Sequence, residues 1–280
     1  MLDGLAMGAM PEVVALESPR LRLIALVHHP LAEETGLSAE RAAALRISER
    51  RALAAVRHVV VTSGYTAGLV TRLGVQRERI NVVEPGTDPA PRARGSVGST
   101  LNLLCVASLT HRKGHAVLLD ALAQLKDRDW QLTCVGSLRQ SPAIVAALRE
   151  RIAVLDLEGR VTLSGEVTDA ALAGFYDRAD LFVLATRFEG YGMALAEALA
   201  RGLPVVSTRT GAVTETVPDG AGFLVPPNDP DALATALADV MDDPGLRQRL
   251  SEGARAARRH LPSWDAAARR MAGILRGAGA

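Results

Sequence analysis

Short apolar runs alternate along the chain with longer segments whose apolar positions recur every three or four residues. The runs at 21–27, 58–62, 80–84, 101–107, 130–135, 161–163, 181–184, 204–207 and 222–225 predict strands. Several are hydrophobic at nearly every position, the pattern of parallel strands covered on both faces. The segments 39–55, 66–73, 115–126, 143–155, 169–176, 193–200, 230–241, 244–260 and 263–275 predict helices. Strand–helix alternation of this kind predicts a doubly wound α/β fold.

The alternation breaks at 84–99, where Pro85, Gly86, Pro89, Pro91, Gly95 and Gly98 cluster as in a linker. After the break, six strands and their helices make a complete α/β domain. Before it there are three strands, few for a doubly wound sheet, and Met1 opens with no strand ahead of it. The N-terminal half is therefore expected to be incomplete. No internal repeat or low-complexity tract is present.

Composition narrows the class. A net charge of +1 and 48% hydrophobic residues over 280 positions fit an ordinary globular chain. The charge balance argues against nucleic acid as a partner. Cys105 and Cys134 each fall inside an apolar run, so buried free thiols and a reducing compartment are expected. No run approaches the length of a membrane span, and the N-terminus lacks the basic start of a signal peptide. The expected location is the cytoplasm, with the inner face of the membrane as the alternative. Among 32 basic residues only Lys113 and Lys126 are lysines, which draws attention to Lys113 between Arg112 and Gly114.

The most informative segment runs from Phe188 to Val205. Glu189 and Glu197 stand eight positions apart. Between them Gly190-Tyr191-Gly192 opens into a helix-forming stretch beginning Met193-Ala194, and Gly202 and Pro204 end it before the next strand. Bare backbone N–H groups at a helix start bind anions. A carboxylate on either side can take sugar hydroxyls. Together these suit a sugar joined to a diphosphate. Two solvated acids near a helix start are the plainer reading, but the strand–loop–glycine–helix setting places this loop where α/β sheets bind ligands.

This segment resembles the E-x7-E signature of the retaining glycosyltransferases of family 4 (group 1), whose GT-B fold has two facing Rossmann-like domains. The resemblance covers nearly the whole chain. Gly165-Glu166-Val167, Phe175-Tyr176 and Ala179-Asp180 are similar to the nucleotide-side segment of the family. Gly211, Glu215, Asp219-Gly220 and 222–225 are similar to the stretch after the signature. Ser263-Trp264 opens a final helix. The resemblance implies a partial N-terminal acceptor-side domain at 1–92, a nucleotide-sugar-binding domain at 93–262 and a helix at 263–280 that crosses back. It implies that Glu189 contacts the donor sugar, that the backbone of Gly190, Tyr191, Gly192, Met193 and Ala194 holds sugar and phosphate, that Glu197 takes the ribose, and that backbone near Val167 meets the base.

Ser108-Leu109-Thr110-His111-Arg112-Lys113-Gly114 follows the run at 101–107. Two cations beside a glycine at a strand–helix junction can clamp a diphosphate as charge develops on it. Cations at a helix start are otherwise slightly unfavourable. The segment resembles the phosphate loop of the family, with Lys113 at its lysine, but Ser108 stands where the family often has arginine. His28, at the end of 21–27, matches an active-site histidine of several members; His29 beside it is the weaker candidate. His111 and His115 have metal-like spacing, but Arg112 and Lys113 between them oppose a cation. Asp127-Arg128-Asp129 reads as a solvated turn, and the basic run 255–259 as a solvated helix face, with contact to anionic lipid as the lesser alternative.

The reading is a retaining transferase that moves a sugar from a nucleotide-diphosphate sugar to an acceptor hydroxyl. The fold it resembles generally uses no metal, so no cofactor is expected. The acceptor is an unknown sugar, lipid-linked or small molecule. A nucleotide-sugar epimerase or sugar phosphorylase of the same fold, and a donor-binding chain without catalysis, remain compatible with these residues.

Overall fold

A computed structural model describes residues 1–279. The chain forms two compact units. One holds residues 1–86, 188–191 and the C-terminal segment from Pro262; the other holds 87–187 and 192–261.

The first unit runs β1 (Leu2–Asp3), α1 (Gly4–Ala9), α2 (Pro11–Glu17), β2 (Ile24–Val27), α3 (Ala39–Ala54), β3 (His58–Val61), α4 (Gly64–Arg72) and β4 (Ile80–Val82). Its sheet has the order β1-β2-β3-β4, parallel throughout. This corrects the expected count of three strands, since β1 at Leu2–Asp3 makes a fourth. A two-residue strand is too short to leave a periodic signature, and Gly4 and Gly8 depress the helical signal that follows. Gly4 has a packing reason: a Cβ there would sit 2.9 Å from the Leu26 carbonyl oxygen, so α1 lies tight against β2. Met7, Val14, Val27, Leu53, Val59 and Val70 fill the core between sheet and helices.

The second unit runs β5 (Leu101–Val106), α5 (His115–Ala123), β6 (Trp130–Val135), α6 (Pro142–Val154), β7 (Val161–Gly165), α7 (Asp169–Arg178), β8 (Leu181–Leu184), α8 (Met193–Ala200), β9 (Val205–Thr208), α9 (Val213–Thr216), β10 (Gly222–Val225), α10 (Pro230–Asp242) and α11 (Pro244–Ala257). The sheet order is β10-β9-β8-β5-β6-β7, with all pairs parallel. The chain works outward from β5 to β7, returns to β8 on the other side of β5, and works outward again. The switch point between β5 and β8 is where an open α/β sheet holds its ligand, outside the carboxyl ends of the strands. β8 and β9 are buried at every position, as two-face coverage requires. Trp130 is fully buried, and its indole N–H donates to the Leu125 carbonyl at 2.8 Å.

A last helix, α12 (Trp264–Gly279), belongs to the first unit. Its Ala267, Met271 and Ile274 pack on Ile24, Val60 and Val83. Gly86 makes its approach possible, since a Cβ there would fall 2.3 Å from the Trp264 backbone nitrogen. Ala280 lies outside the described residues.

The stretch at 84–99 has no regular structure, yet it is tied down. The Ala93 N–H donates to the Arg201 carbonyl at 3.0 Å, Arg94 N–H to that of Asp177 at 2.8 Å, and Ser96 N–H to the Asp180 carboxylate at 3.0 Å. Composition announces the irregular backbone but not these anchors. The basic run 255–259 also differs from a solvated face. Arg255 lines a cavity of about 360 Å³ with Arg92 and Arg247, and Arg258 donates to the Ala90 carbonyl at 2.9 Å.

Candidate active site

The loops that leave β5 and β8 are the centre of the candidate site. Each ends in a glycine that caps a helix in the left-handed region: Gly114 (φ 68°) before α5 and Gly192 (φ 95°) before α8. An ordinary side chain is strained there. Neither helix start has a side-chain cap or an acid in its first turn. No side chain caps their first N–H groups and no first-turn acid offsets the positive ends of their dipoles, although the Leu195 N–H donates to the Gly192 carbonyl at 2.9 Å.

Close packing fixes the two loops to each other. A Cβ on Gly114 would lie 1.8 Å from the Ala185 carbonyl oxygen. The Arg112 carbonyl accepts from the Arg187 N–H at 2.7 Å and from the Thr186 hydroxyl at 3.2 Å. Thr210 donates to the Arg187 carbonyl at 2.8 Å, and Thr208 to that of Thr186. Arg112 and Lys113 occupy a 3₁₀ turn, His111–Lys113, directly before Gly114. Two cations, one glycine and one helix start thus meet on one side of the switch point, and a second glycine-capped helix start lies on the other. Ser108 is half-buried in the first loop.

Glu197 is half-buried on α8. Its Oε2 accepts from the Tyr176 hydroxyl at 3.0 Å. Tyr176 is buried beneath it, with the Arg201 guanidinium 4.2 Å from its ring centre. Burial, then the charge of Glu197, pushes the Tyr176 phenol well above its usual pKa, so it stays a donor. One carboxylate oxygen is therefore held in a fixed direction. Val167 lies half-buried after β7, at the same end of the sheet.

Glu189, Gly190 and Tyr191 fall with the first unit. Gly190 is jammed against β2: a Cβ would sit 2.1 Å from the His28 carbonyl oxygen. The Gly190 carbonyl accepts from Thr62 at 3.2 Å and Thr66 at 3.3 Å. Phe188 meets the rings of His29 at 5.7 Å and Tyr65 at 6.0 Å. These contacts seat Glu189, which is buried, within reach of the carboxyl ends of β2 and β3. His28 is half-exposed there, with Nε2 3.6 Å from the Asp3 carboxylate. The other oxygen of Asp3 caps α1 through the Leu5 N–H at 2.9 Å. His29 turns instead toward Glu34, at 3.4 Å.

Sequence reasoning passed over Thr62, Thr66, Thr186 and Arg187, whose part is to hold these loops, and saw Tyr176 only within a matching segment. Hydroxyls and an arginine after apolar strands carry no signal of their own until the strands are paired. His111 and His115 separate: the first receives the Arg187 guanidinium at 2.7 Å and is exposed, the second turns into the core. Asp127 and Asp129 lie ahead of β6, at the amino end of the strands. Asp127 pairs with Arg128 at 2.9 Å, and Asp129 accepts from Thr100 at 2.8 Å.

Two parallel Rossmann-like units with a ligand loop at the β5/β8 switch point define the GT-B class of fold. Two solved structures share it: sucrose-phosphate synthase from Thermosynechococcus elongatus (TM-score 0.84, 24% identity, 96% of this chain and 71% of that one) and Anabaena HepE in complex with UDP and glucose (0.83, 23%, 96% and 76%). The chain belongs to the glycosyl transferases group 1, whose family model matches residues 90–257, and the model of Glycosyltransferase Family 4 matches 6–91. Among curated relatives, a D-inositol 3-phosphate glycosyltransferase of Xylanimonas cellulosilytica is 33% identical over 80% of this chain and 58% of its own length. An MMP alpha-(1->4)-mannosyltransferase of Mycolicibacterium hassiacum is 29% identical over 88% and 63%. The chain spans about three-fifths of the length of the curated relatives it matches. Among the described residues no helix is long and apolar enough to cross a membrane.

Proposed function

We propose that this chain binds a nucleotide-diphosphate sugar and transfers the sugar to an acceptor hydroxyl with retention of configuration. The observation that carries the reading is the pair of glycine-capped, side-chain-free helix starts at adjacent strand ends, with Arg112 and Lys113 beside one of them. The diphosphate takes the N–H groups at Met193 and Ala194. As the bond from the sugar to the phosphate oxygen breaks, the growing negative charge is met by Lys113, Arg112 and the α8 dipole. These groups do the work a divalent ion does elsewhere, so turnover needs no added metal.

Glu197 accepts the ribose hydroxyls, aligned by Tyr176, and backbone at Val167 meets the base. Glu189, three residues ahead of Gly192, accepts sugar hydroxyls beside the reacting carbon. His28 meets the sugar side, its ring oriented by Asp3. The acceptor attacks from the face the phosphate leaves, and the departing phosphate oxygen takes the acceptor proton. The acceptor is a sugar or a small or lipid-linked hydroxyl compound, reached from the cytoplasmic side.

The test is a thermal-shift screen against UDP-, GDP- and ADP-sugars, followed by product analysis with and without candidate acceptors. A melting shift with one nucleotide series and an axially linked product from an axial donor support the reading. A converted nucleotide sugar in the absence of acceptor points to an epimerase instead, and no shift with any series sinks the donor site.

A further inference from the structure

We propose that Cys105, His115 and Cys134 form a buried three-ligand site for one thiophilic cation of the Zn²⁺ type. Cys105 on β5 and Cys134 on β6 are directly opposite each other in the parallel pairing, so their side chains leave the same face of the sheet. His115 is the first residue of α5, which packs on that face, and its Nε2 lies 3.7 Å from the Cys105 Sγ. The three donor atoms all lie within 4.8 Å of one another. Each residue is at most 4% exposed.

The spacing suits an ion at the centre. With every edge at most 4.8 Å, a point exists within about 2.8 Å (one edge over √3) of all three donors, close to the ~2.3 Å Zn–S and ~2.0–2.1 Å Zn–N bonds. The donor set, two sulfurs and one imidazole, selects soft and borderline ions over Mg²⁺ or Ca²⁺. Charge also closes. Both thiols give up their protons, two S–Zn bonds form, and the two thiolate charges cancel the charge of the ion. The buried complex is neutral and avoids the penalty of an isolated ion in the core. His115 donates the Nε2 lone pair and keeps its proton on Nδ1. That Nδ1 is buried with no hydrogen-bond partner among the described residues, while Nε2 faces the Cys105 Sγ, so the ring's one contact lies on the proposed ligand side.

The site has an approach and a consequence. A cavity of about 120 Å³ is lined by His115, Gly114, Thr110 and Leu148. The ion joins β5, β6 and the first turn of α5, immediately after Gly114. It therefore pins the base of the loop that carries Arg112 and Lys113. Because none of the three ligands belongs to the proposed donor contacts, the inference stands or falls apart from that reading.

The test uses the full reduced chain, stripped with chelator and titrated with Co²⁺ as a spectroscopic probe and then Zn²⁺. We expect one ion per chain, a thiolate-to-cobalt charge-transfer band that Zn²⁺ abolishes, a raised melting temperature, and release of two protons per ion by calorimetry in buffers of different ionisation enthalpy. Cys105→Ser or Cys134→Ser removes most of the band and weakens binding by more than about 100-fold, and His115→Gln by about 10- to 100-fold. No charge-transfer band in the native chain, binding without proton release, or a band of undiminished intensity in Cys134→Ser overturns the proposal. The native spectrum and proton count decide it even where a serine variant fails to fold.

Discussion

Seven of the twelve helices among the described residues seal their own beginnings with a side chain, and five do not. Asp3, Ser38, Ser63, Thr168, Asp229, Asp243 and Ser263 each accept a hydrogen bond from a first-turn N–H of α1, α3, α4, α7, α10, α11 and α12. Among the others, α2 and α6 start at a proline, which removes one donor from the problem. The single-turn α9 begins at Ala212 with neither device but carries Glu215 in its first turn, whereas α5 and α8 begin at glycines with neither device and no first-turn acid, behind neighbouring strands at the switch point of the larger sheet. A capping side chain is worth about 1 kcal/mol to a helix. Lacking cap, proline and first-turn acid alike at two adjacent positions of one fold, while seven other helices keep a side-chain cap, marks where an outside anion supplies the cap.

The comparison can be broken by substitution. The largest effect falls on Gly114→Ala. The left-handed backbone and a Cβ placed 1.8 Å from the Ala185 carbonyl oxygen together cost more than about 3 kcal/mol of stability, read from urea melts, and abolish donor binding. Lys113→Ala leaves the fold intact and lowers turnover by about 10²–10³-fold, because its charge acts mainly on the departing phosphate. An unchanged turnover number removes Lys113 from the clamp.

Burial of an acid alone does not mark function, and Glu49 shows why. It is fully buried on α3, with Oε2 accepting from the Leu31 N–H at 3.0 Å. Burial raises its pKa from 4.5 to about 7, only partly offset by that hydrogen bond. The carboxyl is raised, so the folded state is favoured while it is protonated. That advantage is lost as pH climbs from 4.5 through 7, the window in which the unfolded chain ionises first. Glu49→Gln should stabilise the protein by about 3 kcal/mol at pH 8 and by little at pH 4. Parallel melting curves at both pH values would contradict this.

Smaller effects sharpen the contrast. Glu197→Ala should weaken donor binding by about 10-fold through loss of a charged hydrogen bond, with turnover at saturation nearly kept. Glu189→Ala should do the reverse, lowering turnover more than affinity for the nucleotide alone. Asp243→Ala, the cap of α11, should cost about 1 kcal/mol of stability and leave donor affinity where it was. Calorimetric titration of the three variants separates the roles.

Much of the second unit is legible in the sequence because its strands are long and apolar on both faces. The runs at 101–107, 130–135 and 181–184 coincide closely with β5, β6 and β8. The first unit is harder to read. β1 is two residues long, and α1 carries two glycines, so neither rises above its surroundings. The segment around Glu189 and Glu197 stands out because glycine and carboxylate sit at fixed spacing. What holds it in place does not stand out. Thr62 and Thr66 meet Gly190 across more than 120 residues of chain, and Tyr176 meets Glu197 across 21. Such pairings exist only once strands are registered, and no local pattern encodes them. His28 beside Asp3 is a further case, since it depends on β1 pairing with β2.

Amide hydrogen exchange with and without a bound nucleotide-diphosphate sugar tests the central claim directly. The account predicts new protection at the first turns of α5 and α8, residues 115–117 and 193–194, and none at the side-chain-capped starts of α7, α10 and α11. Tight donor binding with protection elsewhere, and exchange at those two glycine-capped starts unaltered, would contradict it.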